Sequence, residues 1–495
     1  MRLGIDFGTT RTVVAAAHDG RHPVAAFDVD GEFLEHVPGL AAVVGDELIV
    51  GWDAARAIAS GEADHAIRSI KRVAAALPPD AEVPGLPGIT ALELVTAFLA
   101  NLRHAIVEHS NLEVRGPLEV MVSAPANAAS RQRWLTMEAF RRAGFSPIGM
   151  LNEPTAAAIE FAHRHLSELG PKSPKRYVVV YDLGGGTFDT SAISLEGRHF
   201  DLIATEGLAR LGGDDFDAII LAAACEAAKL PVMLDAANLE RAREAKEALR
   251  PASRKLLVDL GPAGTVQLDV ADVYARCQPL IERTLAQTDV LFERLRARGI
   301  DPDDTRELGG LYLVGGAAAF PAVGRALRAR FGKKLQLAPQ PFAATAIGLA
   351  LAADPDASVL VREAVTRHFG VWREGQGGAD KVFDSLIGKD AEAGVVQRRY
   401  RPTHTVGHLR FVECGALDGD GQPVQDLVPC TDIYFPYAAE LADRDDLAEL
   451  AVERRDLMDD VIAETYTYAA DGTISVRIEN LSRGYKRTFE LGALR

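Results

Sequence analysis

Two segments of this chain share one pattern, and that repetition constrains the fold more than any other feature. Residues 178–189 (VVVYDLGGGTFD) and residues 3–14 (LGIDFGTTRTVV) each combine an apolar strand, an aspartate, a turn with glycine and threonine, and a second strand. Glycine lets backbone N–H groups approach an anion, because it has no Cβ. Two such hairpins predict two related half-domains that face each other across a phosphate.

Carboxylates beside the second glycine turn indicate that a cation accompanies this phosphate. Asp182 and Asp189 flank the turn and would repel a bare phosphate. Mg²⁺ resolves the conflict, since it prefers carboxylates, waters and phosphate oxygens. Taken alone, the segment also fits a plain β-hairpin with a glycine turn, and the second copy of the pattern argues against that alternative.

Composition excludes several other classes of protein. The chain has 495 residues, enough for two or three domains, and its 48% hydrophobic and 25% charged content is that of a soluble globular protein. A net charge of −16 disfavours a nucleic-acid binder, because phosphate neutralisation needs clustered Lys and Arg. We find no membrane-spanning apolar run, and since residues 1–6 read directly as the first strand, we expect no signal peptide. The four cysteines lie far apart, which favours reduced thiols and a cytoplasmic protein.

Four further motifs narrow the class. They are SAPA at 123–126, LNEPTAAA at 151–158, LGGDDFD at 211–217 and LVGG at 313–316. Together with the hairpins, they resemble the motifs of the seventy-kilodalton heat-shock (DnaK-type) chaperones, within the actin-like ATPase superfamily. The resemblance is strong from residue 3 to about 350 and weak over the last 130 or so residues.

The resemblance implies an α/β fold: an actin-like, two-lobed, ribonuclease H-like ATPase domain followed by a smaller β-rich, sandwich-like domain. We predict the ATPase domain at residues 1–355, an interdomain linker at 356–365 and the β-rich domain at 366–495, without the family's helical lid. Residues 359–361 (VLV) resemble the family's hydrophobic linker and also fit the first strand of the next domain. The acidic stretch 439–460 fits a short helix or, by default, a solvated insertion.

The implied function is an ATP-binding, slowly ATP-hydrolysing, chaperone-like protein whose nucleotide state gates a lidless β-domain. ATP or ADP and Mg²⁺ are the implied cofactors, and the resemblance also allows K⁺. Unfolded client polypeptides, co-chaperones and nucleotide-exchange factors are the implied partners, with neither nucleic acid nor a membrane. Two alternatives stay open: a nucleotide-responsive binding or scaffold protein with little hydrolysis, and a small-molecule kinase of the same superfamily.

Matching motif by motif assigns roles to individual residues. The implied catalytic residues are Lys71, Glu153, Asp182, Thr187 and Asp189, and the implied Mg²⁺ ligands, mostly through water, are Asp6 and Asp182. The implied nucleotide-binding residues are Gly8, Thr9, Thr10, Gly184, Gly185, Gly186, Thr187, Gly212, Gly213, Lys246, Gly315 and Gly316. Pro125 and Arg133 match the family's switch proline and relay arginine for interdomain coupling. An exposed lysine at position 71 and an ordinary strand-ending proline at 125 are the alternatives.

The adenosine side departs from the family pattern. Glu247 and Ala319 stand where typical members stack the base between two arginines, and Phe342 replaces the first residue of an acidic pair. Phe320 or Phe342 could supply an apolar base contact instead. We therefore expect intact phosphate chemistry and altered base selectivity.

Overall fold

The computed structural model describes the chain apart from residues 166–172, 196–198, 358, 363–364, 376–379, 390, 392–393, 425–426, 470–472 and 492–495. Its contacts divide the chain into two compact units. The first comprises residues 1–127 and 139–361, and the second comprises 128–138 and 362–495.

Helices and strands alternate through the first two thirds of the chain. The α-helices of the described residues are α1 Trp52–Ser60, α2 Ile70–Ala75, α3 Ala91–Glu108, α4 Ser130–Arg142, α5 Glu153–Arg164, α6 Gly213–Ala228, α7 Ala236–Ala248, α8 Val270–Ala297, α9 Pro321–Phe331 and α10 Ala344–Ala353. The strands up to the end of the first unit are β1 Arg2–Phe7, β2 Arg11–Ala17, β3 Phe27–Val29, β4 Glu32–Leu34, β5 Val37–Pro38, β6 Leu40–Val44, β7 Glu47–Val50, β8 His65–Arg68, β9 Glu119–Ala124, β10 Ser146–Asn152, β11 Tyr177–Leu183, β12 Phe188–Ser194, β13 His199–Leu208, β14 Lys255–Asp259, β15 Thr265–Asp269, β16 Leu308–Val314, β17 Leu335–Leu337 and β18 Leu360–Arg362.

Two sheets of the first unit repeat one topology. The first has the order β10-β9-β1-β2-β5, and the second has the order β17-β16-β11-β12-β13-β18. In each, an antiparallel hairpin (β1–β2 or β11–β12) is extended on its first strand by two parallel strands. The first sheet defines the first lobe; the second sheet shares one core with α6–α9 and β14–β15 and defines the second lobe. The duplication confirms the predicted two-lobed α/β architecture and places each glycine turn at the end of a central strand.

Helices α5 and α10 cross between the two halves of the chain. α10, from the second half, packs on β1 and β2, whereas α5, from the first half, packs on β11 and β12. The two helices contact each other through backbone: a Cβ added at Gly348 would lie 2.5 Å from the carbonyl carbon of Ala156. A Cβ at Gly4 in β1 would lie 2.7 Å from the carbonyl carbon of Leu349. Small residues at these positions therefore let the core of the unit close.

Local sequence patterns account for the long helices. The apolar spacing over 91–109, 239–249 and 273–298 predicts helices, and α3, α7 and α8 confirm them. α3 begins at a capping box in which the Thr90 hydroxyl accepts the Glu93 N–H and the Glu93 carboxylate accepts the Thr90 N–H.

The apolar segment at 359–361 belongs to the first unit's sheet. β18, which contains Leu360 and Val361, is the edge strand beside β13, so this segment is not the first strand of a following domain. The first unit continues to Val361, within the predicted linker at 356–365. Positions 358, 363 and 364 of that linker lie outside the described residues.

The second unit is β-rich. Its strands are β19 His368–Gly375, β20 Asp380–Ile387, β21 Gly394–Tyr400, β22 Val406–Cys414, β23 Ala416–Leu417, β24 Pro423–Val424, β25 Val428–Pro436, β26 Ile462–Tyr468, β27 Ile474–Asn480 and β28 Tyr485–Glu490. Two antiparallel sheets, β20-β19-β22-β25 and β21-β26-β27-β28, share one apolar core that includes Phe369, Phe411, Tyr466 and Val476. This arrangement confirms the predicted sandwich-like domain. The acidic stretch 439–460 forms only two short 3₁₀ turns, Ala439–Leu441 and Leu447–Glu449, and no α-helix.

A buried polar network joins the two sheets of the second unit. The fully buried carboxylate of Glu464 in β26 lies 2.6 Å from Nη2 of Arg373 in β19. The hydroxyls of Tyr400 and Tyr466 donate to the same carboxylate at 2.5 and 2.6 Å. Because a buried charge is costly without partners, this network favours one packing of the sheets.

Candidate nucleotide-binding site

The two glycine turns face each other at close range within the first unit. A Cβ added at Gly185, in the β11–β12 turn, would lie 2.6 Å from Oγ1 of Thr10 in the β1–β2 turn. A Cβ at Gly186 would lie 2.8 Å from Cγ2 of Thr9. Glycine is therefore required by the close approach of the two lobes. The two turns lie opposite each other as the sequence predicts, and their role as a paired phosphate cradle stays a prediction.

The LGGDDFD segment supports the second turn from outside. The N–H of Gly213 donates to the carbonyl of Gly184 at 2.9 Å, and the N–H of Asp214 donates to the carbonyl of Gly185 at 2.7 Å. A Cβ at Gly212 would lie 2.5 Å from the same Gly185 oxygen. The first turn of α6 thus fixes the glycine turn, because helix-terminal N–H groups have no partner inside their own helix.

The LVGG segment at 313–316 lies beside the carboxylate of Asp182. Gly315 has φ +91°, a conformation that favours glycine, and a Cβ there would lie 2.5 Å from Oδ1 of Asp182. Its N–H donates to the carbonyl of Pro341 at 2.9 Å.

One cavity brings most of the predicted site residues together. It is lined by Asp6, Gly8, Thr9, Thr10, Arg11, Lys71, Glu153, Asp182, Gly184, Gly185, Thr187, Gly315, Gly316, Pro341, Phe342 and Thr345. The predicted catalytic and nucleotide-binding residues outside this lining are Gly186, Asp189, Gly212, Gly213 and Lys246. Sequence reasoning missed Arg11 and Thr345. The position of Arg11 directly after the Thr9–Thr10 turn was the available signal for the first of them.

Lys71 is buried in an ion pair and is not an exposed surface lysine. Its ammonium lies 2.6 Å from Oε1 of Glu153, with side-chain exposures of 6% and 12%. The ammonium also lies 5.7 Å from the centre of the Phe7 ring. Lys71 is the second residue of the short helix α2 and Glu153 begins α5, so the pair connects two elements that are distant in sequence.

Three more carboxylates surround this pair. Oδ1 of Asp6 accepts a hydrogen bond from the Ser123 hydroxyl at 2.7 Å. Burial, and next the Glu153 charge, raise the pKa of Asp6 to about 6. The same two causes raise the pKa of Asp189 to about 7, and Asn127 donates to its carboxylate at 3.3 Å.

Asp182 is the most crowded of these carboxylates. Burial raises its pKa well above the ordinary value, and the charges of Glu153, Asp6 and Asp189 act in the same direction. Such a concentration of buried negative charge favours a cation, and the turns beside it offer N–H groups and hydroxyls for phosphate. Among the described residues, no three His, Cys, Asp or Glu side chains are arranged to hold a metal ion. The donor set therefore fits Mg²⁺ that keeps waters and phosphate oxygens as ligands.

Two residues considered for the adenosine side, Phe320 and Lys246, lie outside the cavity lining. Phe320 is 3% exposed and packs against Phe216 and Tyr274, so it belongs to the core of the second lobe, whereas Phe342 lines the cavity. The Lys246 ammonium lies 2.6 Å from Oδ1 of Asp217. It also donates to the carbonyl of Gly213 at 2.9 Å, outside the cavity lining.

The predicted coupling residues lie near the division between the units. Pro125 is buried and lies near the end of segment 1–127, which belongs to the first unit. Arg133 lies in segment 128–138, which belongs to the second unit. Nε of Arg133 donates to the carbonyl of Ala128 at 3.4 Å. Their coupling role stays a prediction.

Comparison with known proteins agrees with this fold. The family model described as Hsp70 protein matches residues 80–365. Chaperone protein HscA of Serratia proteamaculans (strain 568) is 30% identical over 453 residues, which cover 86% of this chain and 70% of that protein. A chaperone protein HscA homolog of Bordetella pertussis (strain Tohama I) is 33% identical over 379 residues, 72% of this chain and 58% of that protein.

These matches define the class as actin-like ATPase folds of the heat-shock type, and the chain belongs to the Hsp70 family. It spans 58% of the Bordetella relative and 62% of the HscA of Proteus mirabilis (strain HI4320), which is 31% identical. No helix among the described residues is long and apolar enough to cross a membrane.

Proposed function

We propose that the protein is an ATP-binding, slowly ATP-hydrolysing chaperone whose nucleotide state gates its β-rich unit. The observation that carries this proposal is the buried Lys71–Glu153 pair, placed with three further carboxylates at two opposed glycine turns. The family membership and the names of the relatives support the same function.

Phosphate binding would rest on the two turns. The backbone N–H of Gly185 and the hydroxyls of Thr9, Thr10 and Thr187 provide donors on both sides of the cavity, whereas the N–H groups of Gly8 and Gly184 already donate to the carbonyls of Asp6 and Thr187. A phosphate bound by donors from both lobes would hold the lobes together, so closure of the two lobes would depend on the nucleotide. Bound Mg²⁺ would neutralise phosphate charge and orient the phosphates, with Asp6 and Asp182 holding its waters.

Hydrolysis would rest on the charged groups around Lys71. Its ammonium is held by Glu153 at the cavity wall, where a positive charge stabilises the charge that develops on the transferred phosphoryl group. Glu153 and Asp189 would complete the carboxylate set that orients the attacking water. Because the pair is preorganised and buried, its contribution is larger in the transition state than in nucleotide binding.

Single-turnover hydrolysis tests the catalytic half of the proposal. The protein is loaded with radiolabelled ATP and Mg²⁺, freed of excess nucleotide, and sampled for released phosphate over hours. We expect a slow single exponential that depends on Mg²⁺. Bound ATP that stays intact over the whole time course would instead support a nucleotide-responsive scaffold.

The chaperone half concerns the second unit and its partners. We propose that unfolded client polypeptides bind the β-rich unit, with co-chaperones and nucleotide-exchange factors acting on the first unit. The supporting observations are the sandwich-like core of that unit and the chaperone names of the relatives. Fluorescence anisotropy with labelled unfolded polypeptides, in ATP and in ADP, should give affinities that differ at least several-fold. Equal affinities in both nucleotides would contradict gating.

Free thiols support a reducing compartment. Cys225, Cys277, Cys414 and Cys430 carry no disulfide, which is usual for cytoplasmic proteins. We propose a cytoplasmic location on this basis, testable by cell fractionation.

A further inference from the structure

The cavity lining contains an arginine, Arg11, that pairs with Glu247 of the second lobe. Arg11 follows the Thr9–Thr10 turn directly, at the start of β2, and its side chain lines the cavity. Its Nη2 donates to Oε2 of Glu247 at 2.5 Å. Glu247 itself stands where the family places a base-stacking arginine, so this site has lost an arginine on the second lobe and has one on the first.

Glu247 is held on a second side. Nη1 of Arg243, one turn earlier in α7, donates to both carboxylate oxygens of Glu247 at 3.2 Å. Arg243 does not line the cavity. A carboxylate fixed in this way can in turn fix the plane of the Arg11 guanidinium, since two edges of a guanidinium can bind different partners.

The Arg11 guanidinium has donor capacity left over. Its Nε is buried and has no hydrogen-bond partner. A guanidinium carries five N–H donors, and a buried donor without a partner is costly unless a ligand or water satisfies it. Of the cationic side chains in the cavity lining, Lys71 is already engaged by Glu153 at 2.6 Å. Arg11 is therefore a second cation of the lining, directly beside the Thr9–Thr10 turn, and its Nε–H has no protein partner.

We propose that Arg11 is a nucleotide-binding residue, positioned by Glu247 across the lobes, whose remaining N–H groups bind phosphate oxygens of the nucleotide. The proposal rests on the nucleotide-binding function proposed above. Phosphate is favoured over the base because Arg11 adjoins the Thr9–Thr10 turn, and because charge-assisted bonds to phosphate are the strongest that a guanidinium makes. Glu247 then acts as a positioning residue, occupied by Arg11 and Arg243 rather than by the base.

The test compares Arg11→Gln with the matched control Arg243→Gln, which removes another arginine from Glu247 without changing the cavity lining. Binding of ADP with Mg²⁺ is measured by calorimetry on the full chain. We expect Arg11→Gln to weaken ADP binding about tenfold or more, the usual effect of losing a charged hydrogen bond. Arg243→Gln keeps Arg11 in place and loosens only its partner Glu247, so it should weaken ADP binding several-fold less than Arg11→Gln does. Equal losses in both variants would mean that Arg11 acts only through the ion pairs between the lobes and would overturn the proposal, as would no loss in Arg11→Gln.

ADP binding by Arg11→Lys and by the parent protein provides two further tests. Arg11→Lys keeps the positive charge opposite Glu247 and serves if Arg11→Gln does not fold. It should bind ADP several-fold more weakly than the parent, because an ammonium cannot bind a carboxylate and a phosphate along two planar edges. Unchanged ADP affinity in Arg11→Lys would overturn the proposal. Failure of the parent protein to bind ADP would instead contradict the nucleotide-binding function itself.

Discussion

The ammonium of Lys71 and the carboxylate of Glu153 lie 2.6 Å apart and are both largely buried. The pair joins the starts of α2 and α5, whose sequences are separated by 82 residues. Glu153 is also the charge that, after burial, most raises the pKa of Asp6 and Asp189. Lys71 therefore offsets part of the buried negative charge of these carboxylates.

Replacing Lys71 by Ala should reduce single-turnover ATP hydrolysis by about a hundredfold or more, the scale seen when a preorganised electrostatic group is removed. ATP binding should weaken by less than about tenfold, since the glycine turns remain. Phosphate release and calorimetric ATP binding are measured on the same preparation.

The control for this substitution is Lys255→Ala, at an exposed lysine in β14 whose ammonium lies 3.3 Å from Asp269. It should leave both measurements unchanged. Parental hydrolysis by Lys71→Ala would show that the buried pair has no role in the chemical step.

Gly184 and Gly185, adjacent in the second turn, provide a matched pair of substitutions that tests whether the two turns bind phosphate together. A Cβ at Gly185 would lie 2.6 Å from Oγ1 of Thr10, whereas the nearest atom to a Cβ at Gly184, Thr187 O, lies at 3.5 Å. Gly185→Ala should therefore push the two turns apart and weaken ATP binding at least tenfold, while Gly184→Ala stays within about threefold. Competition with a fluorescent ATP analogue measures both. Similar affinities for the two variants would contradict the close approach of the turns.

Local sequence patterns predicted the parts of the fold that depend on near neighbours. The strand–turn–strand repeats around Asp6 and Asp182 identified both glycine turns, because each hairpin is formed by consecutive residues. Helical spacing likewise predicted α3, α7 and α8. The position of 359–361 could not be decided locally, since a short apolar run fits a linker or a strand until its partner β13 is known.

Side-chain partners at the site were harder to predict from the sequence. Arg11 and Glu247 are separated by 236 residues, and nothing in either local sequence indicates that they pair. Phe320 was one of two aromatic residues considered for base contact, and only packing against Phe216 shows that it is a core residue. Such contacts are tertiary, so they follow from the fold and not from a motif.

Base discrimination should be weak. By the resemblance, Glu247 and Ala319 are expected at the positions of the family's base-stacking arginines, and Glu247 is paired with Arg11. Contact area from Phe342 distinguishes purines poorly, because rejection of the wrong base requires paired hydrogen-bonding groups. Competition binding of ATP and GTP should give affinities that differ by less than about a hundredfold, or roughly 2.7 kcal/mol. A larger preference for ATP would show that another group reads the base.

His36 should remain neutral across the physiological pH range. Burial, and next the positive charges of Arg11 and Arg243, lower its pKa to about 3. Because the folded pKa lies below the unfolded value of about 6.5, its contribution to stability is present above pH 6.5 and is lost as the pH falls towards 3. In NMR spectra assigned with His36→Gln, the His36 imidazole signals should not shift between pH 5.5 and 7.5. A titration midpoint near 6.5 would contradict this environment.

The central claim is that two glycine turns and a set of buried carboxylates bind ATP together with Mg²⁺. Isothermal titration of the full chain with ATP tests it most directly, once with Mg²⁺ and once with the metal removed by chelator. At about 50 µM protein, sufficient for micromolar affinity, we expect measurable heat with Mg²⁺ and binding at least tenfold weaker without it. No heat with Mg²⁺, or equal affinity in its absence, would contradict the account.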